Sequence, residues 1–160
     1  MFTNGVGGDS GSELPIDGAG FEILDRGECL RLLGSSDRGR IALNVGALPA
    51  ILPVQFALDE ERVVFCSRIG TDLDRATDRN VVAFQVDGTF LGRDWSVSAV
   101  GLAHHLATAA ELARAAALPL RRWSAAADAD HRFVAVSTER LTGRRALVSY
   151  AFGVRPEPTI

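Results

Sequence analysis

One run of the chain, Arg62-Val63-Val64-Phe65-Cys66-Ser67-Arg68-Ile69-Gly70-Thr71-Asp72-Leu73-Asp74-Arg75, delivers hydroxyl, thiol and guanidinium groups to one place. Val63, Phe65 and Ser67 alternate with Val64, Cys66 and Arg68, which is the pattern of a strand with two occupied faces. Gly70 ends the strand. Thr71 followed by Asp74 has capping-box spacing and starts a helix. A strand that hands Ser67, Arg68, Gly70 and Thr71 to a helix start can hold an anion, because the first N–H groups of a helix are unpaired. Asp72 and Asp74 oppose this, since they already place negative charge on that turn. The spacing is looser than a phosphate-binding P-loop.

The rest of the chain narrows the chemistry. All 17 basic residues are arginine, so lysine nucleophiles and lysine Schiff bases are excluded. The net charge of −3 gives no electrostatic case for nucleic acid or an anionic membrane. Cys29 and Cys66 lie far apart with no CxxC or CxxxH cluster, which reads as two buried thiols rather than a zinc site. His104 and His105 are neighbours on a strand and point to opposite faces, which disfavours a metal pair; His131, near a strand start, reads as solvent-exposed. No Ser-His-Asp or Cys-His arrangement is legible, and Asp59-Glu60-Glu61 reads as a turn. No signal-peptide pattern and no run of about 18 apolar residues occurs, so a soluble cytoplasmic protein with no membrane or nucleic-acid partner is expected.

These residues need elements to position them. At 160 residues, 47% of them hydrophobic, the chain fits one domain with a real core. Residues 1–20 are rich in Gly, Ser and Asp and read as a flexible tail; 21–152 read as the domain and 153–160 as a loose C-terminal tail. Asp25 caps a short helix with Glu28 three residues on, stopped at Gly34-Ser35-Ser36. Alternating strands are expected over 41–45, 51–58, 62–68, 81–87 and 94–105, with Pro53 implying an edge or bulge. Ala107–Leu118 reads as a helix stopped by Pro119. A last pair, 133–141 and 146–151, is joined by a turn at Thr142-Gly143-Arg144-Arg145. Short strands with close turns imply antiparallel pairing, an α+β or barrel domain and not a doubly wound sheet.

In this order the pieces resemble the pyridoxamine 5′-phosphate oxidase-like, flavin-binding split β-barrel family over about residues 22–148. The resemblance rests on Glu28–Leu33 with Gly39–Ala42, on Ala50–Phe56, on Val64–Leu73 with Val82–Asp87, on Asp94–Gly101, and on Trp123 with Leu141–Arg145. It implies a six- to seven-stranded antiparallel split β-barrel with short flanking helices. It further implies a homodimer with flavins, usually FMN, in clefts between the subunits. The backbone around Pro53-Val54-Gln55 would meet the flavin ring edge. Phe65-Cys66-Ser67 and Gly70-Thr71 would meet the ribityl phosphate, and Trp95 and Ser96 would approach from a neighbouring strand or the partner subunit. Trp95 serves either as a stacking ring or as an exposed aromatic of the dimer interface.

The chain departs from the family pattern at the phosphate. An Arg is usual where Cys66 stands and a Lys where Asp72 stands. Each charge-assisted bond contributes about 1.5–3 kcal/mol, so both losses together weaken a phosphate site strongly. Arg68, on the strand face of Cys66, and Arg75, one turn beyond Asp72, are the compensating cations. The resemblance thus implies hydride transfer between FMN and a small organic substrate. Alternatives are an F420-dependent reductase and a non-catalytic protein that binds a small ligand, haem or only a partner.

Overall fold

The computed structural model describes residues 15–120 and 130–147. Eight strands form one antiparallel sheet: β1 (Phe21–Leu24), β2 (Arg38–Val45), β3 (Leu48–Asp59), β4 (Arg62–Arg68), β5 (Asn80–Phe90), β6 (Arg93–His105), β7 (His131–Val136) and β8 (Arg140–Ala146). Their order is β1-β8-β6-β5-β2-β3-β4-β7, and β7 returns to pair with β6. Six strands therefore close a ring, β6-β5-β2-β3-β4-β7, with β8 and β1 added outside on β6. The expected antiparallel split barrel is the fold found. Three short helices flank it: α1 (Arg26–Gly34), α2 (Asp72–Ala76) and α3 (Ala109–Ala117).

Period-two alternation fills the ring. Ile41, Val54, Phe56, Val63, Phe65, Phe84, Val97 and Val134 point inward and are buried. Phe56 and Phe84 meet edge to face, centroids 4.8 Å apart. Burying each such ring stabilises by about 1.5–3 kcal/mol, and the edge-to-face pair adds about 1 kcal/mol. A smaller cluster outside the ring, Val64, Leu106, Ala115 and Ala135, seats α3 on β4 and β7. An acid and a hydroxyl cap two helices as the sequence implies: Asp25 accepts from the Glu28 N–H at 2.8 Å, and Thr71 Oγ1 accepts from the Asp74 N–H at 3.3 Å. α3 opens with a full capping box between Thr108 and Glu111.

Three expectations are corrected. The segment Thr142–Arg145 is not a turn but the middle of β8, paired with β6 from Trp95↔Arg145 to Val100↔Arg140. Gly143 is small because α1 crosses there: a Cβ would lie 2.4 Å from Cys29 Sγ. Arg145, expected on a solvated turn, is instead drawn in by the carboxylates of Glu28 and Glu22. Trp95 is not an exposed aromatic: it is 9% exposed and belongs to the core. It falls on the inward side of β6 with Val97 and Ala99, over Gly88, where a Cβ would sit 2.7 Å from the indole. Finally, β1 was not anticipated, because four residues are too few to display alternation. Residues 15–20, assigned to the tail, form a turn bonded to β1, with Asp17 accepting from the Ala19 and Phe21 N–H groups. Trp123 and the tail positions 1–14 and 153–160 lie outside the described residues.

Candidate functional site

The ring is split between β3 and β4. The two strands pair only from Asp59↔Arg62 to Phe56↔Phe65. Beyond that pair β3 stays with β2, from Gln55↔Arg38 to Leu48↔Val45, while β4 stays with β7, from Cys66↔Phe133 to Arg68↔His131. Pro53-Val54-Gln55 and Cys66-Ser67-Arg68 thus form the two lips of an opening in the sheet. Of the residues singled out from the sequence, Pro53–Gln55 and Cys66–Arg68 flank the point where the ladder stops, while Trp95 and Ser96 lie on β6 between β5 and β8.

The β3 lip has a definite polarity. The Phe56 N–H donates to the Asp37 carbonyl on the β2 side at 3.0 Å. Alternation then turns the N–H and C=O of Gln55 toward the split, along with the ring nitrogens of Pro49 and Pro53. Two prolines at alternate edge positions block addition of another strand. They leave Ile51 and Gln55 as the donors on this edge. This accounts for Pro53 within a strand: its nitrogen faces the side with no partner. The Gln55 side chain points to the outer face, and its Oε1 is buried without a hydrogen-bond partner. An orphaned buried acceptor costs about 1–3 kcal/mol, and a ligand or partner that donates to it removes that cost.

The β4 lip places its residues on two faces. Phe65 and Ser67 are buried inward, Ser67 Oγ lying 3.5 Å from Thr71 Oγ1. Cys66 is half-buried and faces outward under α3; Arg68 is exposed on that side and has no side-chain partner among the described residues. Neither cysteine is in a disulfide, and burial pushes the Cys29 thiol up. Val54 is inward and in the core, and Ser96 is half-buried on the outer side of β6.

The Gly70–Thr71 turn is held firmly by Asp74, which the sequence marks as a cap residue, and through it by His105 and Arg132, whose part the sequence does not show. Gly70 takes φ +81, a left-handed conformation suited to glycine. Its N–H donates to Asp74 Oδ2 at 2.8 Å, and Thr71 Oγ1 donates to the Arg68 carbonyl at 2.8 Å. Asp74 is itself buried. Its Oδ1 lies 3.0 Å from Arg132 Nε, close but out of line, so the contact is ionic rather than hydrogen-bonded. Arg132 Nη1 reaches His105 Nδ1 at 2.9 Å, and His105 Nε2 reaches the Asp74 carbonyl at 3.0 Å. With Arg132 as donor, the neutral ring carries its proton on Nε2. His105 and Arg132 are 31 and 58 positions from Asp74, so no local pattern reveals them.

Asp72 and Arg75 sit on the exposed side of α2. Arg75 donates to Asp72 Oδ1 at 2.8 Å and to the Gly70 carbonyl at 2.7 Å. Both residues line a cavity of about 300 Å³ with Asn44, Val45, Gly46 and Asn80. The compensating cation expected at Arg75 is thus present but neutralised by the neighbouring acid. No cluster of three or more metal-ligating side chains occurs among the described residues.

The model of the pyridoxamine 5′-phosphate oxidase family matches residues 25–145, which contain the whole ring, both lips and the turn. The chain belongs to the pyridoxamine 5′-phosphate oxidase family. An uncharacterized protein of Mycobacterium tuberculosis is 35% identical to this family member over 130 residues, covering 76% of this chain and 83% of the relative. Among solved structures, the FAD-binding protein from Mycobacterium smegmatis is 32% identical, with a TM-score of 0.69 over 78% of this chain and 96% of that one. A conserved protein of unknown function from Corynebacterium diphtheriae is 28% identical, with a TM-score of 0.67 over 79% and 98%. Family membership thus rests on the segments that build the split. No helix among the described residues is long and apolar enough to cross a membrane.

Proposed function

We propose that this chain binds a flavin nucleotide at the split between β3 and β4 and works as a flavin-dependent oxidoreductase on a small organic substrate. The observation that carries the reading is the β3 lip. Gln55 turns its backbone N–H toward the split where the ladder stops, and its buried side-chain Oε1 accepts from no donor. A ring edge with a carbonyl beside an N–H, as in the pyrimidine part of a flavin, matches that pair. The FAD-binding relative at 32% identity supports the same cofactor class. FMN and FAD share this ring and differ only beyond the phosphate.

In this reading Pro53 and Gln55 hold the ring edge and Arg68 is the cation nearest the phosphate. Gly70 and Thr71 shape the turn beneath it, stiffened by Asp74, His105 and Arg132. Cys66 and Asp72 contribute no positive charge. When bound, the flavin supplies the hydride chemistry, and the chain binds, orients and excludes water. That division explains why no catalytic side chain stands out.

The reading includes a homodimer. The outer face of β2, β3, β5 and β6 carries a small apolar patch: Ala42 and Ala83 lie between Ile51 and Val81, each 69% exposed, and Leu102 is 44% exposed. Covering this face in a stable dimer buries at least about 1,600 Å², and sedimentation at micromolar concentration checks it. The cofactor is tested by the visible spectrum of the purified protein and by titration with FMN, FAD and F420. A flavin band, or saturable flavin binding, is expected. Turnover of F420 by a protein that ignores both flavins replaces this reading with a deazaflavin reductase, and no response to any of the three leaves a non-catalytic binding protein.

A further inference from the structure

A second cavity lies on the other side of β4 from the split. It measures about 270 Å³ and is walled by Ala115, Ala116, Leu118 and Leu120 above, and by Cys66 and Phe133 below, with His131 and Arg132 also lining it. Its origin is the Ala-rich face of α3. The side chains meeting there, Val64, Ala115 and Ala135, are small, so helix and sheet touch at the Val64 end and leave a gap over the Cys66↔Phe133 pair. A void of this size lies just below the usual range of small-molecule pockets.

Its mouth carries charge. Two residues along the same face from Cys66 and Phe133 stand Arg68 and His131, themselves a register pair. Arg68 is the strand's exposed cation without a side-chain partner among the described residues. The nearby Arg132 is engaged by Asp74 and His105.

We propose that this cavity binds a small aromatic carboxylate, its ring between α3 and the Cys66–Phe133 floor and its carboxylate on Arg68. Leu118, Leu120 and Phe133 give an aromatic ring apolar contact. The Arg68 guanidinium selects an anion over its neutral analogue, because Arg pairs with a carboxylate through two parallel bonds. The cavity shares Cys66 and Arg68 with the β4 lip of the split, so the test below uses protein without flavin, and its outcome is read apart from the flavin reading.

The experiment titrates the flavin-free protein with benzoate and with benzamide, following the methyl signals of Ala115, Leu118 and Leu120 by NMR. Saturable benzoate binding that moves these methyls is expected, with benzamide at least tenfold weaker. Arg68→Gln lowers benzoate affinity about tenfold and leaves benzamide unchanged, while Ala115→Leu fills the cavity and abolishes both. If Ala115→Leu fails to fold, the Arg68→Gln comparison decides alone. Absence of benzoate binding at millimolar concentration overturns the proposal. So do equal affinities for both probes, and shifts centred on Ile51 and Val54 instead.

Discussion

Replacing Asp72 by Lys tests how charge at α2 governs flavin phosphate affinity. Asp72 and Arg75 now cancel within one ion pair, 2.8 Å apart and largely exposed. The substitution removes one negative charge, adds one positive charge and frees Arg75. For a phosphate dianion about 7 Å away, a change of two charges is worth about 2.4 kcal/mol in a water-like dielectric. A Debye length of about 8 Å at 0.15 M salt reduces this to about 1 kcal/mol, or roughly fivefold in affinity. At 1 M salt, where the screening length is about 3 Å, the gain shrinks to less than about twofold. Asp72→Asn should deliver about half of the effect on the logarithmic scale. Flavin fluorescence titration of native, Asp72→Asn and Asp72→Lys proteins at the two salt concentrations measures it, with riboflavin as the phosphate-free control. Equal improvement for riboflavin, or no change for FMN, refutes the placement of the phosphate near α2.

Further outcomes follow from the same contacts. Arg68→Ala should weaken flavin nucleotide binding by about tenfold, the value of one charge-assisted bond, and leave riboflavin unchanged in the same titration. Gly143→Ala drives a methyl group into Cys29 Sγ and Leu24, and should cost about 2 kcal/mol in urea unfolding; adding Cys29→Ala to it should recover part of the loss. Glu28 is held at about 2, below its usual 4.5, by its bonds from Arg31 and then Arg145, against a burial penalty. Its folded pKa is depressed, so its stabilisation is present above about pH 4.5 and is lost as pH falls toward about 2. Glu28→Gln should therefore be less stable at pH 7 by up to about 1 kcal/mol, with the two proteins converging at pH 2 in thermal melts.

Much of this arrangement was legible because it is local. Alternation along 41–45, 51–58 and 62–68 needs only neighbours, and so do the Asp25 and Thr71 caps. Pro53 marked an unpaired edge, since proline cannot donate to a ladder, and the ladder between β3 and β4 stops there. What misled was glycine. Gly143 followed by two arginines carries the signature of an exposed turn, yet its reason is the close crossing of α1, which lies more than 100 positions away. Trp95 misled similarly. Whether an aromatic on a strand faces in or out depends on what lies across from it, and here Gly88 provides the room. The Asp74–His105–Arg132 contacts join α2, β6 and β7, so only the closed ring reveals them. The split itself is where two strands part, which no property of either strand alone announces.

Backbone amide hydrogen exchange with and without bound flavin tests the site most directly. The lips of the split carry N–H groups turned away from the flanking strands beyond the end of the ladder, at Ile51 and Gln55 on β3 and at Arg68 on β4. Saturating FMN or FAD should slow exchange at Gln55 and through the Arg68–Thr71 turn, and leave the amides of α3 and β8 unchanged. Protection confined to α3 and β7, or none at the β3 lip when flavin is demonstrably bound, would place the cofactor elsewhere and contradict the assignment of the split as its site.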